Sequence, residues 1–485
     1  MKYISPGHFR TAEEFRSHLQ SLRPDFDCVT ELSGADGPLG RSLALFDGKT
    51  AGNRFAVQPM EGWDANRDGT PSEHTLRRWR NFGRSGAKLV WGGEAFAVQE
   101  DGRANPNQLY LNRKANIASG LAALRQQIIE GHREQGLTTD DLVIGLQLTH
   151  SGRFSKPGGL PVPKRACAHP ILDRRFNVPA DTPILRDADL VRIGENFVRA
   201  AKLAREAGFD FVDIKCCHNY LLHELLSART RRGPYGGDFK SRTQLFRRIV
   251  EGIRIECPGL GIGVRLSVFD AFPHSADPDT NIGARERWPE NTPYEFGFGV
   301  NAADPMLPDL AEPFAFLELL LKYEITLVNV TLGSPYYCPH VIRPAAYPPT
   351  DGYLPPEDPL LSVYRHLSLV REVKREFPQL IVVGSGYTYL QEWLANVAEH
   401  EVARGHVDFA GLGRMMLTYP EYPLHALERR PLQRKRICRT FSDCTSAPRN
   451  GLRSGCYPLD PYYKDAPEAD TLKEIKKAKQ RVTQI

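Results

Sequence analysis

The sequence predicts a (β/α)₈ TIM barrel of the α/β class, with an extension at each end. Short apolar runs rich in β-branched residues alternate with longer amphipathic runs over about 360 residues, which indicates parallel strands. No early strand is followed by GxGxxG, which argues against an open doubly wound sheet. The eight runs predicted as strands are 54–59, 87–92, 142–149, 209–214, 262–267, 325–331, 380–384 and 407–412.

The elements divide the chain into three segments. Residues 1–45 form an N-terminal extension in which AEEFRSHLQSL has helical periodicity, and Asp47-Gly48 then predicts a hairpin turn. The barrel is predicted over 46–430, and 431–485 is a cysteine-containing C-terminal extension. Pro-rich segments at 155–185 and 270–310 are interpreted as insertions that shape the substrate pocket. The predicted helices are 117–135, 187–207, 240–255, 312–323, 362–376 and 389–403.

Composition narrows the classes of function. The net charge of +5 is spread through the chain, which is too weak a bias to indicate nucleic acid. No apolar run has the length of a membrane span, and the N-terminus lacks the apolar core of a signal peptide. We therefore expect a cytoplasmic protein that acts on a small molecule and binds no nucleic acid or membrane. Whether it assembles as a homo-oligomer stays open. Its nine cysteines predict reduced thiols rather than a disulfide framework.

The segment 207–246 contains the densest group of candidate site residues. Gly208 is predicted to end a helix, the strand 209–214 follows, and Lys215, His218 and Tyr220 come directly after that strand. In a barrel of this class, catalytic groups lie just past the carboxyl ends of the strands. The same argument adds further candidates at other strand ends, namely Pro59, Met60, Glu61, Gly93, Gln147, Arg265 and Asp270.

The last two strands end in glycine-rich turns. Glycines allow backbone N–H groups to approach an oxyanion, and a neighbouring arginine adds positive charge. Because both turns fall at one corner of the predicted barrel, they predict a phosphate site. Its residues are Gly384, Ser385, Gly386, Gly413 and Arg414.

Seven motifs occur along the chain in this order: NRFAVQPMEG, GLQLTHSGR, GFDFVDIKCCHNYLLHELLS, RRGPYGGDFKSRTQLF, VRLS, GSG and GLGR. Together they resemble the old yellow enzyme family. The matches run from about Asn53 to Pro420. Members of this family are FMN-dependent NAD(P)H:flavin oxidoreductases built on (β/α)₈ barrels. The resemblance therefore implies FMN as the cofactor and NAD(P)H as the reductant.

The resemblance also implies a role for each matched position. Gln147 binds the polar edge of the flavin, Arg265 stabilises its N1/C2-oxygen end, and Pro59 and Met60 line its N5 side. Glu61 and Gly93 are implied to contact the cofactor, and the glycine-rich turns with Arg414 to hold its phosphate. Lys215 and His218 are implied to hold the substrate carbonyl, Tyr220 to donate the proton, and Asp270 to contact substrate.

The activity predicted from the resemblance is NAD(P)H-driven reduction of an activated C=C bond, with hydride from flavin N5 and a proton from Tyr220. Flavin-dependent oxidation or demethylation of an amine is an open alternative. A Schiff-base lyase that uses Lys215 is a second alternative, because a lysine just past a barrel strand also suits that chemistry. A non-catalytic flavin-binding protein is a third.

Three departures from the family pattern stand out. Lys215 replaces the usual histidine, and Glu61 replaces the usual cysteine or threonine, so we expect these opposite charges to couple across the pocket. In the tail, Cys438, Cys444 and Cys456 resemble part of the C-x2-C-x3-C-x11-C set of iron–sulfur-containing relatives. Phe441 stands where another ligand would fall. No standard four-cysteine cluster is expected, no metal site is predicted, and metal binding by the three remaining cysteines stays open.

Overall fold

The computed structural model describes residues 3–482, and its central feature is a closed parallel barrel. Neighbouring strands pair in the order β4-β3-β13-β12-β11-β8-β7-β6, and β6 pairs back to β4. The described strands are β1 (Leu43–Ala44), β2 (Thr50–Ala51), β3 (Phe55–Val57), β4 (Leu89–Val90), β5 (Ala95–Ala97), β6 (Val143–Thr149), β7 (Phe211–Cys216), β8 (Gly261–Phe269), β9 (His274–Ala276), β10 (Gly283–Arg285), β11 (Leu327–Leu332), β12 (Ile381–Gly384) and β13 (Phe409–Leu412).

Helices follow most barrel strands, as expected for this fold. The α-helices are α1 (Ala12–Leu22), α2 (Glu73–Arg84), α3 (Ile117–Glu134), α4 (Pro170–Arg175), α5 (Asp187–Glu206), α6 (Leu221–Leu226), α7 (Phe239–Arg242), α8 (Gln244–Glu256), α9 (Ala311–Lys322), α10 (Pro339–Ile342), α11 (Pro359–Glu376), α12 (Leu394–Ala403), α13 (Tyr422–Leu427), α14 (Asp443–Arg449), α15 (Pro461–Lys464) and α16 (Glu468–Val482). Short 3₁₀-helices lie at Pro6–His8, Gly34–Asp36, Pro38–Gly40, Glu100–Gly102, Gly152–Phe154, Tyr387–Trp393, Arg414–Leu417 and Arg434–Arg436.

The barrel strands confirm the fold class and all eight predicted strand positions. The second position differs in detail, because the chain leaves β4, turns, and pairs with β6 again as β5. Gly93 permits this turn: its φ is 51°, and a Cβ there would lie 2.7 Å from the Trp79 ring. The turn therefore needs a residue without a side chain.

The predicted helices all form, with local differences. The helix predicted over 240–255 is broken at Thr243 into α7 and α8. The helix predicted over 389–403 starts as a 3₁₀ segment, because Gln391 has a φ of 54°. Helix α2 was not predicted; its start is fixed by a capping box between Ser72 and Thr75.

The N-terminal extension lies against the outside and the amino end of the barrel. The predicted helix forms α1, capped by the Thr11 side chain, and its Phe15 stacks on Trp393 with ring centroids 5.8 Å apart. The predicted hairpin forms β1–β2, with positive φ at Asp47 and Gly48. Apolar side chains of the hairpin then cover a barrel core that includes Trp91 and Phe211.

The C-terminal extension packs across the opposite, carboxyl end of the barrel strands. Arg77 of α2 makes two 3.0 Å hydrogen bonds to Asp460, and Arg439 binds Glu392 at 2.8 and 2.6 Å. Because α14 also lines the main cavity, this segment contributes directly to the site. The domain boundaries themselves stay a prediction.

The three C-terminal cysteines, Cys438, Cys444 and Cys456, are free thiols that border one small cavity of ≈ 20 Å³ beside Phe441. Across residues 3–482, no group of three or more histidine, cysteine or acidic side chains is arranged to hold a metal ion. The same part of the chain contains no helix that is long and apolar enough to cross a bilayer.

Candidate active site

A cavity of ≈ 240 Å³ lies at the carboxyl ends of the barrel strands. Its walls come from the turns after β3, β7, β11, β12 and β13 and from the C-terminal extension. None of its lining residues falls in 155–185 or 270–310, but Arg175 of the first insertion donates a 3.2 Å hydrogen bond to the carbonyl of the lining residue Tyr336. The role of these insertions in shaping the substrate pocket stays a prediction. The sequence-predicted residues that line it are Pro59, Met60, Glu61, Gln147, Lys215, His218, Tyr220, Arg265, Ser385, Gly386, Gly413 and Arg414.

Three predicted site residues do not line this cavity. Gly93 supports the wall from behind, where its carbonyl accepts a 3.2 Å bond from the Met60 N–H. The Gly384 carbonyl accepts a bond from the Gln58 side chain. Asp270 is buried and accepts a hydrogen bond from the Tyr337 phenol, so its carboxyl group is used within the fold. Burial raises the pKa of Asp270 to about 7.

One end of the cavity, which we call the phenol corner, contains Glu61, Lys215, Tyr220 and Tyr336. The Lys215 ammonium lies 3.2 Å from Glu61 Oε1, and the Tyr220 phenol donates a hydrogen bond to the same oxygen. The Lys215 Nζ atom also lies 3.8 Å from the centroid of the Tyr220 ring. The two phenol oxygens of Tyr220 and Tyr336 are 2.7 Å apart. The contact expected between Glu61 and Lys215 is therefore present.

The local backbone and burial set the chemistry of this corner. His218 and Asn219 both have positive φ, a costly pair for residues other than glycine, and they carry the chain from β7 to Tyr220 at the start of α6. Burial and the nearby cations Arg265 and Lys215 hold the pKa of His218 well below its usual value, so its imidazole is neutral. Burial and the Glu61 charge raise the pKa of Tyr220, which keeps the phenol protonated.

The middle of the cavity is a set of polar side chains that fix one another. Gln147 donates a 2.6 Å hydrogen bond to Asp213, whose other oxygen accepts the Arg265 backbone N–H at 2.7 Å. The Arg265 guanidinium reaches the Pro59 carbonyl at 3.3 Å, and its Nε atom has no hydrogen-bond partner among the described residues. The result is a rigid row of donors along the cavity wall.

The opposite end, which we call the arginine corner, contains Arg343 and Arg414 beside the predicted phosphate turns. Arg414 donates one bond to the Pro344 carbonyl, but its Nη1 atom is buried without a partner in residues 3–482. Within the same residues, the Arg343 guanidinium makes no hydrogen bond or ion pair. Burial and the Arg414 charge lower the pKa of Arg343 to about 10. Neither guanidinium in this corner is therefore paired with an anion among the described residues.

These features fit FMN. The partnerless Nη1 atom of Arg414 and the guanidinium of Arg343 suit a phosphate group, and Gly386, with a φ of 96°, keeps the neighbouring turn free of a side chain. A Cβ on Gly386 would lie 3.1 Å from the His366 ring. Gln147 and Arg265 offer hydrogen-bonding groups for the polar edge of a flavin ring.

Several lining residues were missed by sequence reasoning. Tyr336 and Arg343 follow the sixth predicted strand within twelve residues, and reading past that strand end would have found them. Arg449 and Cys444 come from the C-terminal extension, more than 100 residues after that strand. No sequence pattern indicates that this segment folds back over the barrel.

Comparison with known proteins assigns the chain to a family. Residues 46–283 match the model of the NADH:flavin oxidoreductase / NADH oxidase family. Over 274 residues the chain is 30% identical to the NADPH dehydrogenase of Listeria welshimeri serovar 6b, an alignment that spans 55% of this chain and 75% of the relative. The chain belongs to this family, the old yellow enzyme family.

Two further comparisons show how far this likeness extends. The NADPH dehydrogenase of Bacillus subtilis is 31% identical over 240 residues, which span 48% of this chain and 65% of that enzyme. The solved structure of an old yellow enzyme homologue from Zymomonas mobilis superposes with a TM-score of 0.54 at 20% identity, and covers 81% of this chain and 94% of that one. The second comparison supports the shared barrel fold of the old yellow enzyme family.

Proposed function

We propose that this protein is an FMN-dependent NAD(P)H oxidoreductase that reduces an activated C=C bond. The observation that carries the proposal is the presence of two unlike corners in one cavity. One end has Arg343 beside Arg414, whose Nη1 atom has no hydrogen-bond partner among the described residues, and the other end has a protonated phenol. The membership of the old yellow enzyme family supports the cofactor and the reductant.

When FMN is bound, it supplies the two-electron redox chemistry. Arg343, Arg414 and the turns at Gly386 and Gly413 hold the phosphate, while Gln147 and Arg265 orient the ring. These side chains act as fixed donors, so little reorganisation is needed when charge changes on the bound group.

Lys215 and His218 hold the carbonyl oxygen of the substrate. Among the described residues the Lys215 ammonium donates a hydrogen bond to Glu61 alone, and an ammonium has three N–H donors. The Nε2 atom of His218 is buried without a hydrogen-bond partner in the same part of the chain, and the residue lines the cavity wall. Two such donors stabilise negative charge on the oxygen as it develops.

Tyr220 supplies the proton. Its hydroxyl is held by Glu61 and Tyr336, and it is protonated at neutral pH because burial raises its pKa. When an electron-poor alkene accepts a hydride at one carbon, the neighbouring carbon takes the Tyr220 proton. A positioned acid of this kind contributes roughly 10²–10⁴-fold in rate.

The experiment is a cofactor and substrate assay on purified protein. We expect yellow protein that releases FMN on heating, and oxidation of NADH or NADPH that depends on an added enone. Protein that stays colourless after incubation with FMN, or that contains FAD, would contradict the cofactor assignment. N-methylated amines form the second arm: turnover of these compounds without turnover of enones would replace alkene reduction with amine oxidation.

A further inference from the structure

A second tyrosine lies directly behind the proposed proton donor. Tyr336, on the loop after β11, is half-buried, and its ring stacks on Phe154 with centroids 3.9 Å apart and planes 10° apart. Its hydroxyl oxygen is 2.7 Å from that of Tyr220. The stack fixes the ring, so this short contact is built into the wall of the cavity rather than made by a free side chain.

The direction of the hydrogen bonds follows from the chemistry of the four groups. An ionised carboxylate only accepts and an ammonium only donates, so Glu61 Oε1 accepts from both Lys215 and Tyr220. A phenol has one hydrogen, and that of Tyr220 is directed at Glu61. Tyr336 must therefore be the donor in the bond between the two phenols.

From this direction we infer that Tyr336 is a positioning residue: it stabilises the Tyr220 phenolate with a hydrogen bond and returns the proton that Tyr220 gives up. The return step rests on the proposed function, in which the Tyr220 O–H bond breaks as a C–H bond forms on the substrate. The electron pair stays on the Tyr220 oxygen, the Tyr336 O–H proton moves to it, and Tyr336 regains a proton from solvent water.

The surroundings of the two phenols explain why this bond matters. Burial raises the pKa of both, and the Glu61 charge raises it further, so a phenolate at either position needs stabilising donors. Lys215 faces the Tyr220 ring. On the Tyr336 side, the Arg449 guanidinium lies 5.9 Å from the ring centroid and is paired with Asp351. The hydroxyl of Tyr336 is therefore the group placed to donate to a phenolate at position 220.

The test measures the acidity of residue 220 without any substrate. A fluorinated tyrosine is incorporated at position 220 of the full-length protein. The number of fluorine atoms is chosen so that the phenol titrates at a pH at which the protein stays folded. The ¹⁹F chemical shift of this residue is then followed against pH. Tyr336→Phe should raise the titration midpoint by roughly one to two pH units, the worth of one hydrogen bond to a charged group. An unchanged midpoint would overturn the inference.

Tyr337→Phe is the matched control, because the hydroxyl of this neighbouring residue donates to Asp270 and lies outside the cavity lining. It should leave the midpoint in place. If Tyr337→Phe does not fold, the exposed Tyr347→Phe serves the same purpose. A midpoint that moves equally in the control would also overturn the inference, since the effect would then be general loosening of the loop.

A kinetic arm tests the return of the proton. In mixtures of H₂O and D₂O, alkene reduction by pre-reduced enzyme should depend on two exchangeable protons in the parent and on one in Tyr336→Phe. If the rate in the unsubstituted protein depends on one proton only, the proposed return of a proton from Tyr336 to Tyr220 is wrong. If no alkene is reduced while the ¹⁹F midpoint still moves, the proposed function fails and the bond between the two tyrosines stands.

Discussion

The two corners of the cavity satisfy their charges in opposite ways. In the phenol corner, Lys215 and Glu61 form an ion pair, and the adjacent phenols complete a continuous chain of hydrogen bonds. In the arginine corner, Arg343 and Arg414 line the cavity together, and the buried Arg414 Nη1 atom has no hydrogen-bond partner among the described residues. One corner is completed by folding alone, whereas we propose that a ligand completes the other.

The contrast has an energetic consequence. Buried charges are costly unless they are paired, so the phenol corner stabilises its own geometry before any ligand binds. The arginine corner leaves a cost that an anionic ligand removes, and a ligand that binds only the folded state raises stability. We therefore expect variants in the phenol corner to act mainly on chemistry and folding, and variants in the arginine corner to act on cofactor binding.

The largest expected effect tests whether the phenol corner takes part in the reaction. Tyr220→Phe should slow alkene reduction by pre-reduced enzyme roughly 10²–10⁴-fold, because the acid is lost. Reduction of the cofactor by NAD(P)H should stay nearly unchanged, which stopped-flow absorbance can measure. Equal slowing of both half-reactions would make Tyr220 structural, and slowing of neither would place the proton source elsewhere.

The next effect tests whether the ion pair in that corner is coupled. Glu61→Gln should cost about 3–5 kcal/mol in unfolding free energy, because it leaves the Lys215 ammonium buried, with 2% of its side chain exposed. Lys215→Met should cost less, since Glu61 is 17% exposed and still accepts from Tyr220. Urea denaturation of both single variants and the double variant gives the coupling energy.

Additivity of the two substitutions within about 0.5 kcal/mol would show that the pair is not coupled. A surface pair provides the control. Lys202 and Glu256 are 2.6 Å apart, but each has nearly half of its side chain exposed. Because water screens such a pair, Lys202→Met should unfold at nearly the same urea concentration as the parent.

The third effect tests whether the arginine corner binds a phosphate. Arg343→Leu and Arg414→Leu should each weaken FMN binding roughly 10–100-fold, through the loss of a hydrogen bond to a charged group. Riboflavin, which lacks the phosphate, should bind parent and variants alike in flavin-fluorescence titrations. Equal losses for riboflavin and FMN would mean that these arginines contact the ring or only support the fold. In the absence of FMN, Arg343→Leu should not lower stability.

The smallest effect concerns the buried charges behind the phenol corner. Arg78 Nη2 binds Asp64 at 2.7 Å and Glu94 at 2.8 Å, and burial raises the pKa of Glu94 from 4.5 to about 7. Between these values the folded state holds a proton that the unfolded state has released. The Glu94 contribution to stability is therefore full below about pH 4.5 and is lost as the pH rises toward 7.

Glu94→Gln should remove this dependence, which amounts to at most about 1.4 kcal/mol per pH unit in that window. Urea melts at several pH values measure the slope. The exposed Glu73→Gln is the control and should leave the slope unchanged. A slope that is the same in Glu94→Gln and in the parent would show that Glu94 does not retain its proton on folding.

The sequence by itself determined the barrel and most of the candidate site. Apolar runs alternating with amphipathic ones require parallel strands, and a closed barrel brings all strand ends to one face. For this reason residues as distant as Glu61, Lys215 and Arg414 can be predicted from the sequence to share a cavity. The turn at Gly386 can likewise be predicted from the sequence, because a turn with positive φ favours glycine over residues that have a Cβ atom.

The tertiary structure alone decided how that cavity is closed and which other side chains surround the Glu61–Lys215 pair. Asp270 follows a strand as Tyr220 does, yet its carboxyl group is used by Tyr337 inside the fold. Tyr336 and Arg449 reach the cavity on a loop and on a C-terminal segment that carry no periodic pattern. Side-chain direction and the path of irregular segments depend on packing between parts of the chain far apart in sequence, and local patterns do not record that packing.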